Sequence, residues 1–236
     1  MEITPKDKYI EETKSLTQAS RDMQRPELVP VCGIEIEVFP EVFNPGQFFS
    51  SCWFAEEISK FVEAVEAVDF CEVGSGTGIV SLYVVQHNPG VRVVSCDVNE
   101  NAVANTSANL ERYGVSARTT VLHSNVFSGL GEKKFDAIFW ALPFGYVEEG
   151  TELDNVGLQT FDAGYIAIEE YFRSGANHLN HGGTLLFGFS PEIGHFELIE
   201  QCAKKYTWSL RLVGEGDGTE KSSVKMQMYA ARPVEV

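Results

Sequence analysis

The stretch VDFCEVGSGTGIVSLYVVQH, residues 68–87, decides the fold class of this chain. Its first part, VDFCEV (68–73), is a short apolar run bounded by glycine, which is typical of a strand buried on both faces of a sheet. Its last part, GIVSLYVVQH (78–87), predicts a helix that an Asn-Pro-Gly turn closes at 88–90. Between the two, glycines let the backbone turn sharply and approach a ligand closely; they stand at 74, 76 and 78.

The same alternation of strand and helix continues along the chain. Strands are predicted at 91–98, 117–123, 135–142 and 182–190, and helices at 99–114, 161–179 and 195–206. The last two predicted strands, 208–214 and 224–233, have no helix between them and are therefore antiparallel neighbours. The pattern predicts a Rossmann-like, doubly wound α/β sheet of seven strands, with helices on both faces and an antiparallel C-terminal hairpin.

The N-terminal part differs from this pattern. Residues 1–28 are polar and predict a helical extension. Ile34, Ile36 and Val38 alternate with glutamates, which predicts a half-buried strand. A β-hairpin is expected around this strand, delimited by Pro40 and by the Asn-Pro-Gly turn at 44–46.

We therefore divide the chain into an N-terminal helix and β-hairpin extension, residues 1–48, and an α/β domain, residues 49–236. The extension either caps the ligand site of this domain or forms the contact of a homodimer, and the sequence leaves both open.

Composition narrows the class of protein. Of the 236 residues, 44% are hydrophobic and 22% charged, which is typical of a globular protein and excludes disorder of the whole chain. The formal net charge of −16 counts against a nucleic-acid substrate, because affinity for phosphate backbones comes largely from Lys and Arg. The five cysteines are widely spaced and form no Cys-x-x-Cys pair, so we expect reduced thiols and no metal site.

Membrane and secretory signals are not found. No apolar run approaches the ~18 residues that span a bilayer. The first residues, MEITPKDKYIEETK, are charged and lack the apolar core of a secretory signal. We expect a cytoplasmic protein without a membrane partner.

The glycine-rich turn favours one ligand class over another. The dinucleotide fingerprint G-x-G-x-x-G/A fails in both registers, because Ile79 and Ser81 occupy its last position. Glu72, just before the turn, would repel a pyrophosphate but suits a cationic amino-acid group. Asp97 ends the next strand, about 20 positions on, where an acidic residue accepts hydrogen bonds from a ribose diol; the alternative is a cap for the helix that follows.

These motifs resemble those of class I S-adenosylmethionine-dependent methyltransferases. EVGSGTG (72–78) matches the first motif, SCDVNENAV (95–103) the second and SNVF (124–127) the third, while FDAIFWALPF (135–144) stands at the fourth. The resemblance covers residues 34 to 233 and implies S-adenosyl-L-methionine as cofactor, with S-adenosyl-L-homocysteine as product.

Within that superfamily the chain is most similar to the branch of release factor glutamine methyltransferases and related small N-methyltransferases. The segments EVFNPGQFFSS (41–51) and NENAVANTSANLERYGV (99–115) carry this likeness. The chain departs from the branch at its reactive motif, where Ala141-Leu142-Pro143-Phe144 replaces Asn-Pro-Pro-Tyr or Asn-Pro-Pro-Phe. Ala141 thereby removes the side-chain acceptor that grips an amide or amine nitrogen, while Leu142 keeps a backbone carbonyl and gains an N–H.

The resemblance implies a set of site residues. Those expected to bind the cofactor are Glu72, Gly74, Ser75, Gly76, Gly78, Asp97, Val98, Asn125, Val126, Ala141 and Phe49. Those expected around the reacting atoms are Ala141, Pro143, Phe144 and Tyr146. For a general base the sequence offers Glu148, Glu149, His123 and His195, without deciding among them.

Three functions remain open. The first is methyl transfer to a small-molecule acceptor with a flat or aromatic group, which the replacement at Ala141 favours. The second is methylation of a protein side chain, for which the acidic surface suits a basic partner. The third is a cofactor-binding homologue without catalytic activity.

Overall fold

The computed structural model describes residues 5–216 and 224–234; of residues 5–10, 12 and 49 it describes the backbone alone. A sheet of seven strands forms the centre of the molecule. From one edge to the other its strands are β5 (Thr119–His123), β4 (Arg92–Asp97), β3 (Asp69–Val73), β6 (Phe135–Ala141), β9 (Leu179–Phe189), β11 (Met226–Pro233) and β10 (Trp208–Gly216). The first five are parallel, whereas β11 runs antiparallel to both of its neighbours. The predicted seven-stranded α/β sheet with an antiparallel C-terminal pair is confirmed.

Helices cover both faces of the sheet. They are α1 (Pro5–Asp22), α2 (Phe49–Ala64), α3 (Ile79–His87), α4 (Glu100–Arg112), α5 (Ile166–Ser174) and α6 (Phe196–Lys205). Side chains of α2, α3 and α4 share one buried apolar cluster with the sheet, for example Phe54, Leu82 and Leu110. Those of α5 and α6 share a second, with Tyr171 and Ile199. In the described ranges, no helix is long and apolar enough to cross a membrane.

The N-terminal hairpin lies earlier in the chain than predicted. It pairs β1 (Glu27–Val31) with β2 (Ile34–Val38), and its turn is Cys32-Gly33, not the 40–46 region. Both turn residues have positive φ, of 52° and 74°, as a two-residue hairpin turn of this kind requires. The period-two pattern of the second strand holds, because Ile36 and Val38 are buried.

Helix α4 holds this hairpin through two buried amide side chains. The Asn109 carbonyl accepts the Glu37 N–H at 2.8 Å, and its amide donates to the Glu37 carbonyl at 2.8 Å and to the Thr77 carbonyl at 2.9 Å. Asn105 accepts from the Phe39 N–H and donates to the Glu37 carbonyl, both at 2.8 Å. The two side chains thus replace a neighbouring strand for β2, and Asn109 also reaches the glycine-rich turn.

The region from 145 to 179 corrects the sequence prediction. The sequence predicts a helix at 161–179, but Phe161–Ala163 is a strand, β8, which pairs in parallel with β7 (Gly145–Val147). Helix α5 begins only at Ile166, and a short 3-10 turn, Gly175–His178, follows it. The Asp162 carboxylate accepts hydrogen bonds from the backbone N–H groups of residues 167 and 168, which fixes where the helix starts.

We expect Asn109→Ala to lower the free energy of unfolding by about 2–4 kcal/mol, because the Glu37 N–H and the Thr77 carbonyl lose their side-chain partner, while the Glu37 carbonyl keeps the Asn105 amide. Asn101→Ala, on the exposed side of the same helix, serves as the matched control and should change it by less than ~1 kcal/mol. Urea unfolding followed by circular dichroism measures both. Equal effects of the two substitutions would contradict the role assigned to Asn109.

Candidate functional site

A cavity of about 1030 Å³ opens at the carboxyl ends of β3, β4 and β6. This is the edge at which ligands bind to open parallel sheets. Twelve of the residues predicted from the sequence line it: Glu72, Gly74, Ser75, Gly76, Asp97, Val98, Asn125, Val126, Ala141, Pro143, Phe144 and Tyr146. Gly78 is not among the lining residues, and the side chain of Phe49 lies outside what the structure describes.

The three glycines of the turn serve different purposes. A Cβ at Gly74 would lie 2.5 Å from Nε1 of Trp140, and a Cβ at Gly78 would lie 2.8 Å from the Thr106 methyl group. These two glycines therefore allow close packing of the turn on β6 and α4. At Gly76, φ is 56° and a Cβ would meet no atom within 4 Å. Gly76 is the position at which the turn faces open space.

Polar side chains of α4 fix the turn from behind. The hydroxyls of Ser75 and Thr106 share a hydrogen bond of 3.0 Å, and the Thr106 hydroxyl also lies 3.0 Å from the Gly76 carbonyl. Asn109 holds the next carbonyl, that of Thr77. The turn is thereby held in one conformation before any ligand arrives.

Asp97 is bound to the turn instead of capping α4. Its carboxylate accepts the Gly76 N–H and the Asn99 N–H, each at 2.9 Å. The helix cap is Asn99, whose side chain accepts the N–H of Asn101. Burial raises the pKa of Asp97, and the two backbone N–H groups counteract that rise. Each carboxylate oxygen can accept two hydrogen bonds, so both have capacity left for a ligand diol.

Glu72 lies beneath the turn, almost fully buried. One carboxylate oxygen accepts the Ser81 N–H at 2.9 Å and the hydroxyl of the same residue, so Glu72 holds the first turn of α3. Burial raises its pKa to about 8. A cationic ligand group in the cavity would favour the ionised form of this carboxyl.

The segment after β5 forms another wall of the cavity. Asn125 is exposed to the cavity, and its backbone N–H donates to the Ser128 hydroxyl at 3.1 Å. Val126 is buried and has a φ of 51°, and its carbonyl accepts from the Ser124 hydroxyl at 2.9 Å. The strained turn leaves the Asn125 amide beside the wall, where it can bind a flat polar group.

The segment Ala141-Leu142-Pro143-Phe144 lies at the end of β6. The Leu142 N–H donates to the Gly188 carbonyl at 3.0 Å, so this N–H is bonded within the sheet. The Phe144 carbonyl accepts from the Tyr165 hydroxyl at 2.8 Å. Tyr146 is 39% exposed, and its ring meets those of Tyr165 and His195 edge-on.

One part of the cavity is not predicted from the sequence. Thr13 of α1 and Gln159 line this part of the cavity, which we call the roof, although neither belongs to a motif of the sequence. The Gln159 amide donates to the Glu41 carbonyl at 2.5 Å. The hydroxyl of Thr13 and the side-chain oxygen of Gln159 are buried and have no hydrogen-bond partner among the residues that the structure describes. No local pattern in the polar N-terminal sequence indicates that Thr13 lines the cavity.

The candidate bases are spread over different places. His195 lines the cavity, whereas His123 bonds through Nε2 to the Val98 carbonyl at 2.9 Å and lies outside the lining. Glu148 and Glu149 are exposed on the segment after β7. Within residues 5–216 and 224–234, no group of three His, Cys, Asp or Glu side chains could hold a metal ion.

We expect Glu72→Gln to stabilise the protein increasingly as pH rises from 5 to 9. Between about pH 4.5 and 8 the folded state keeps a proton that the unfolded state has lost, so wild-type stability falls as pH rises, by about 1 kcal/mol for each pH unit. Glutamine keeps the acceptor for Ser81 and does not titrate. Urea unfolding at pH 5, 7 and 9 measures the difference, with the exposed Glu63→Gln as control. Parallel pH profiles of wild type and Glu72→Gln would refute the raised pKa.

Two curated proteins match part of this chain in sequence. A release factor glutamine methyltransferase from Gloeobacter violaceus is 31% identical over 136 residues, which are 50% of this chain and 48% of the relative. Ribosomal RNA small subunit methyltransferase C from Escherichia coli is 34% identical over 114 residues, 48% of this chain and 29% of the relative. The chain thus spans less than half the length of these curated relatives.

A solved structure shares the fold. The T. thermophilus 16S rRNA N2 G1207 methyltransferase, in complex with AdoMet and guanosine, aligns with a TM-score of 0.61 at 19% identity. The alignment covers 89% of this chain and 50% of that one. The family model described as "Methyltransferase small domain" matches residues 49–211, from the first residue of α2 into β10. This chain therefore belongs to the methyltransferase small domain family.

Proposed function

We propose that this chain is an S-adenosylmethionine-dependent methyltransferase whose acceptor is a small molecule held beneath helix α1. When bound, the cofactor supplies a methyl group on a positively charged sulfur, and the protein supplies binding, orientation and proton handling. Family membership supports the reaction class, and the residues of the cavity fit the cofactor.

The cofactor half of the cavity is the part built by the sequence motifs. Gly76 offers open space for close approach of a ligand, and the Asp97 carboxylate beside it has lone pairs left for a ribose diol. Charge-assisted hydrogen bonds of this kind contribute roughly 1.5–3 kcal/mol each. Asn125 would bind the adenine edge. The hydrogen bonds that the Glu72 carboxylate accepts, beneath the turn, come from Ser81. Its negative charge would therefore attract the positively charged amino group of the cofactor without a direct hydrogen bond.

The attachment of helix α1 above the cavity is the observation that supports a small-molecule acceptor. Arg21 binds both carboxylate oxygens of Asp154, at 2.8 and 2.9 Å, and the Ser20 hydroxyl donates to the Val42 carbonyl at 2.9 Å. Helix α1 is thereby fastened over the cavity. The side-chain oxygens of Thr13, on α1, and of Gln159 are buried and have no hydrogen-bond partner in the part of the chain that the structure describes. A buried polar group without a partner lowers the stability of the protein by about 1–3 kcal/mol. A small acceptor molecule that donates hydrogen bonds to these two oxygens would offset that cost.

The reactive segment supports the same acceptor class. The methyl side chain of Ala141 cannot accept a hydrogen bond from an amide nitrogen, and the Leu142 N–H is already bonded within the sheet. The grip on a planar amide that the resemblance implies for glutamine is therefore missing at this position. The net charge of −16 counts against an RNA acceptor.

A protein side chain is the second candidate. The Gloeobacter relative is named for a protein substrate, and exposed glutamates follow Tyr146 near the mouth of the cavity: Glu148, Glu149 and Glu152. Such a rim would attract a basic partner. This candidate requires α1 to move aside so that a side chain can enter.

The experiment that separates these candidates uses methyl-labelled S-adenosylmethionine and an extract of the source cells. The products are separated into small-molecule, protein and nucleic-acid fractions. Label in the small-molecule fraction is expected. Label in protein or RNA would overturn the proposed acceptor class, and the absence of label from all fractions, with cofactor binding intact, would favour a binding protein without catalytic activity.

We expect Gly76→Ala to weaken S-adenosylhomocysteine binding at least tenfold, about 1.4 kcal/mol, because its Cβ would project into the cofactor space. Gly131→Ala is a matched control: its φ is 60°, against 56° at Gly76, and a Cβ there also meets nothing within 4 Å, but it lies outside the cavity. Both variants carry the same backbone strain. Calorimetric titration measures the affinities, and equal losses in the two would remove Gly76 from the cofactor site.

We expect Thr13→Val to reduce label transfer to the small-molecule fraction roughly 2- to 10-fold, the equivalent of one neutral hydrogen bond. Its affinity for S-adenosylhomocysteine should stay unchanged. Thr17→Val, on the same helix, is the control, because the Thr17 hydroxyl bonds to the Lys14 carbonyl and does not line the cavity. Unchanged transfer by Thr13→Val would mean that α1 does not contact the acceptor.

A further inference from the structure

His195 carries an arrangement that the site described so far does not use. Its Nδ1 lies 2.9 Å from a carboxylate oxygen of Glu197. A carboxylate can only accept, so the proton of the neutral imidazole stands on Nδ1 and Nε2 keeps its lone pair. His195 lines the cavity, and its side chain is 47% exposed, so a proton taken up at Nε2 can leave to solvent.

The backbone fixes His195 beside the reactive segment. The His195 N–H donates to the Tyr165 hydroxyl oxygen at 3.2 Å, and that hydroxyl donates to the Phe144 carbonyl at 2.8 Å. The preceding residue has to be glycine, because a Cβ at Gly194 would lie 2.5 Å from the same carbonyl and 2.2 Å from the Phe189 ring. The Tyr165 hydroxyl therefore connects the backbone at His195 to the segment that follows β6.

The other histidine that lines the cavity has a different environment. Nδ1 of His178 lies 3.0 Å from the Lys133 carbonyl, and its ring stacks on Phe127 with centroids 4.8 Å apart. It is buried, at 9% exposure, and its printed hydrogen bond is to a carbonyl and not to a carboxylate. His195 is thus the histidine whose setting suits proton transfer.

We infer that His195 is a general base that takes the proton of an aromatic hydroxyl as that oxygen is methylated, an inference that rests on the proposed methyltransferase function. The acceptor oxygen forms the new C–O bond with the methyl carbon while the C–S bond of the donor breaks and its electron pair stays on sulfur. The hydroxyl proton goes to Nε2 of His195, and solvent removes it afterwards. The positive charge of the donor thus ends on the imidazolium.

Two features select this acceptor class. A neutral hydroxyl is a weak nucleophile that needs a base, whereas many nitrogen acceptors do not, so a carboxylate-oriented histidine indicates an oxygen acceptor. The cavity beside it is lined by the aromatic side chains of Trp140, Phe144 and Tyr146, which fit a flat ring. Glu197 is a positioning residue, since it acts through the imidazole.

The test uses the full chain, methyl-labelled S-adenosylmethionine, a series of ring-substituted phenols and the matching anilines. Wild type is expected to label phenols. His195→Gln should lower turnover on unsubstituted phenol at least 100-fold, and the loss should shrink for electron-poor phenols that are already ionised at the assay pH. Glu197→Gln should shift the imidazole proton from Nδ1 towards Nε2 in ¹⁵N NMR spectra.

The control variant is His181→Gln, at the exposed start of β9, away from the cavity. S-adenosylhomocysteine affinity should remain within twofold of wild type in all variants. Label on anilines but not phenols, label on neither series, or a phenol turnover that His195→Gln leaves intact would overturn the inference. The proposed function fails separately, through loss of cofactor binding or of all transfer to the cell extract.

Discussion

The rest of the site depends on the hydrogen bonds that α4 makes with its buried side chains. Thr106 and Asn109 hold the carbonyls of Gly76 and Thr77, and Asn109 and Asn105 hold the backbone of β2. A helix in the middle of the chain therefore fixes both the glycine-rich turn and the N-terminal hairpin. Because a buried amide without its partners is unfavourable, the turn, the helix and the hairpin stabilise one another.

This coupling explains how the N-terminal extension reaches the cavity. The hairpin is fastened to α4, and the chain after it passes Glu41, whose carbonyl accepts hydrogen bonds from Asn99 and Gln159. Helix α1 is attached at the same point, where the Glu41 N–H donates to the Ser20 carbonyl at 3.2 Å. A set of backbone contacts around one residue thus connects the roof, the start of α4 and the segment that contains Gln159.

The sequence predicts those parts of the molecule whose cause is local. The strand at 68–73, the glycine turn and Asp97 carry their own patterns of apolar residues and turn residues, and the structure has them within a residue or two. The start of α5 was wrong because pairing of Phe161–Ala163 with a distant strand overrode a helical pattern. The sequence leaves two roles open for Asp97, a ribose contact or a cap for α4, since only the fold shows that its carboxylate bonds to Gly76 and that Asn99 caps the helix.

Part of the acceptor half of the cavity could not be predicted from the sequence, for the same physical reason. Thr13 and Gln159 come from segments that are distant in sequence, and tertiary contacts that leave no periodic signal bring them to the cavity. His195 is one of four candidate bases that the sequence offers, and the sequence does not decide among them. The pairing of Nδ1 of His195 with Glu197, by contrast, joins residues two apart at a helix start, and a His-x-Glu at that place is a signal the sequence offered.

The contrast between local motifs and tertiary contacts explains why family membership predicts the methyl donor better than the methyl acceptor. The groups proposed to hold the cofactor come from contiguous motifs, so a relative that shares those motifs shares the donor chemistry. The segments proposed to meet the acceptor are held by a few side-chain contacts between residues distant in sequence, such as Arg21 with Asp154 and Tyr165 with the Phe144 carbonyl. Substrate choice in such a fold can therefore change while the sheet and the glycine turn stay the same.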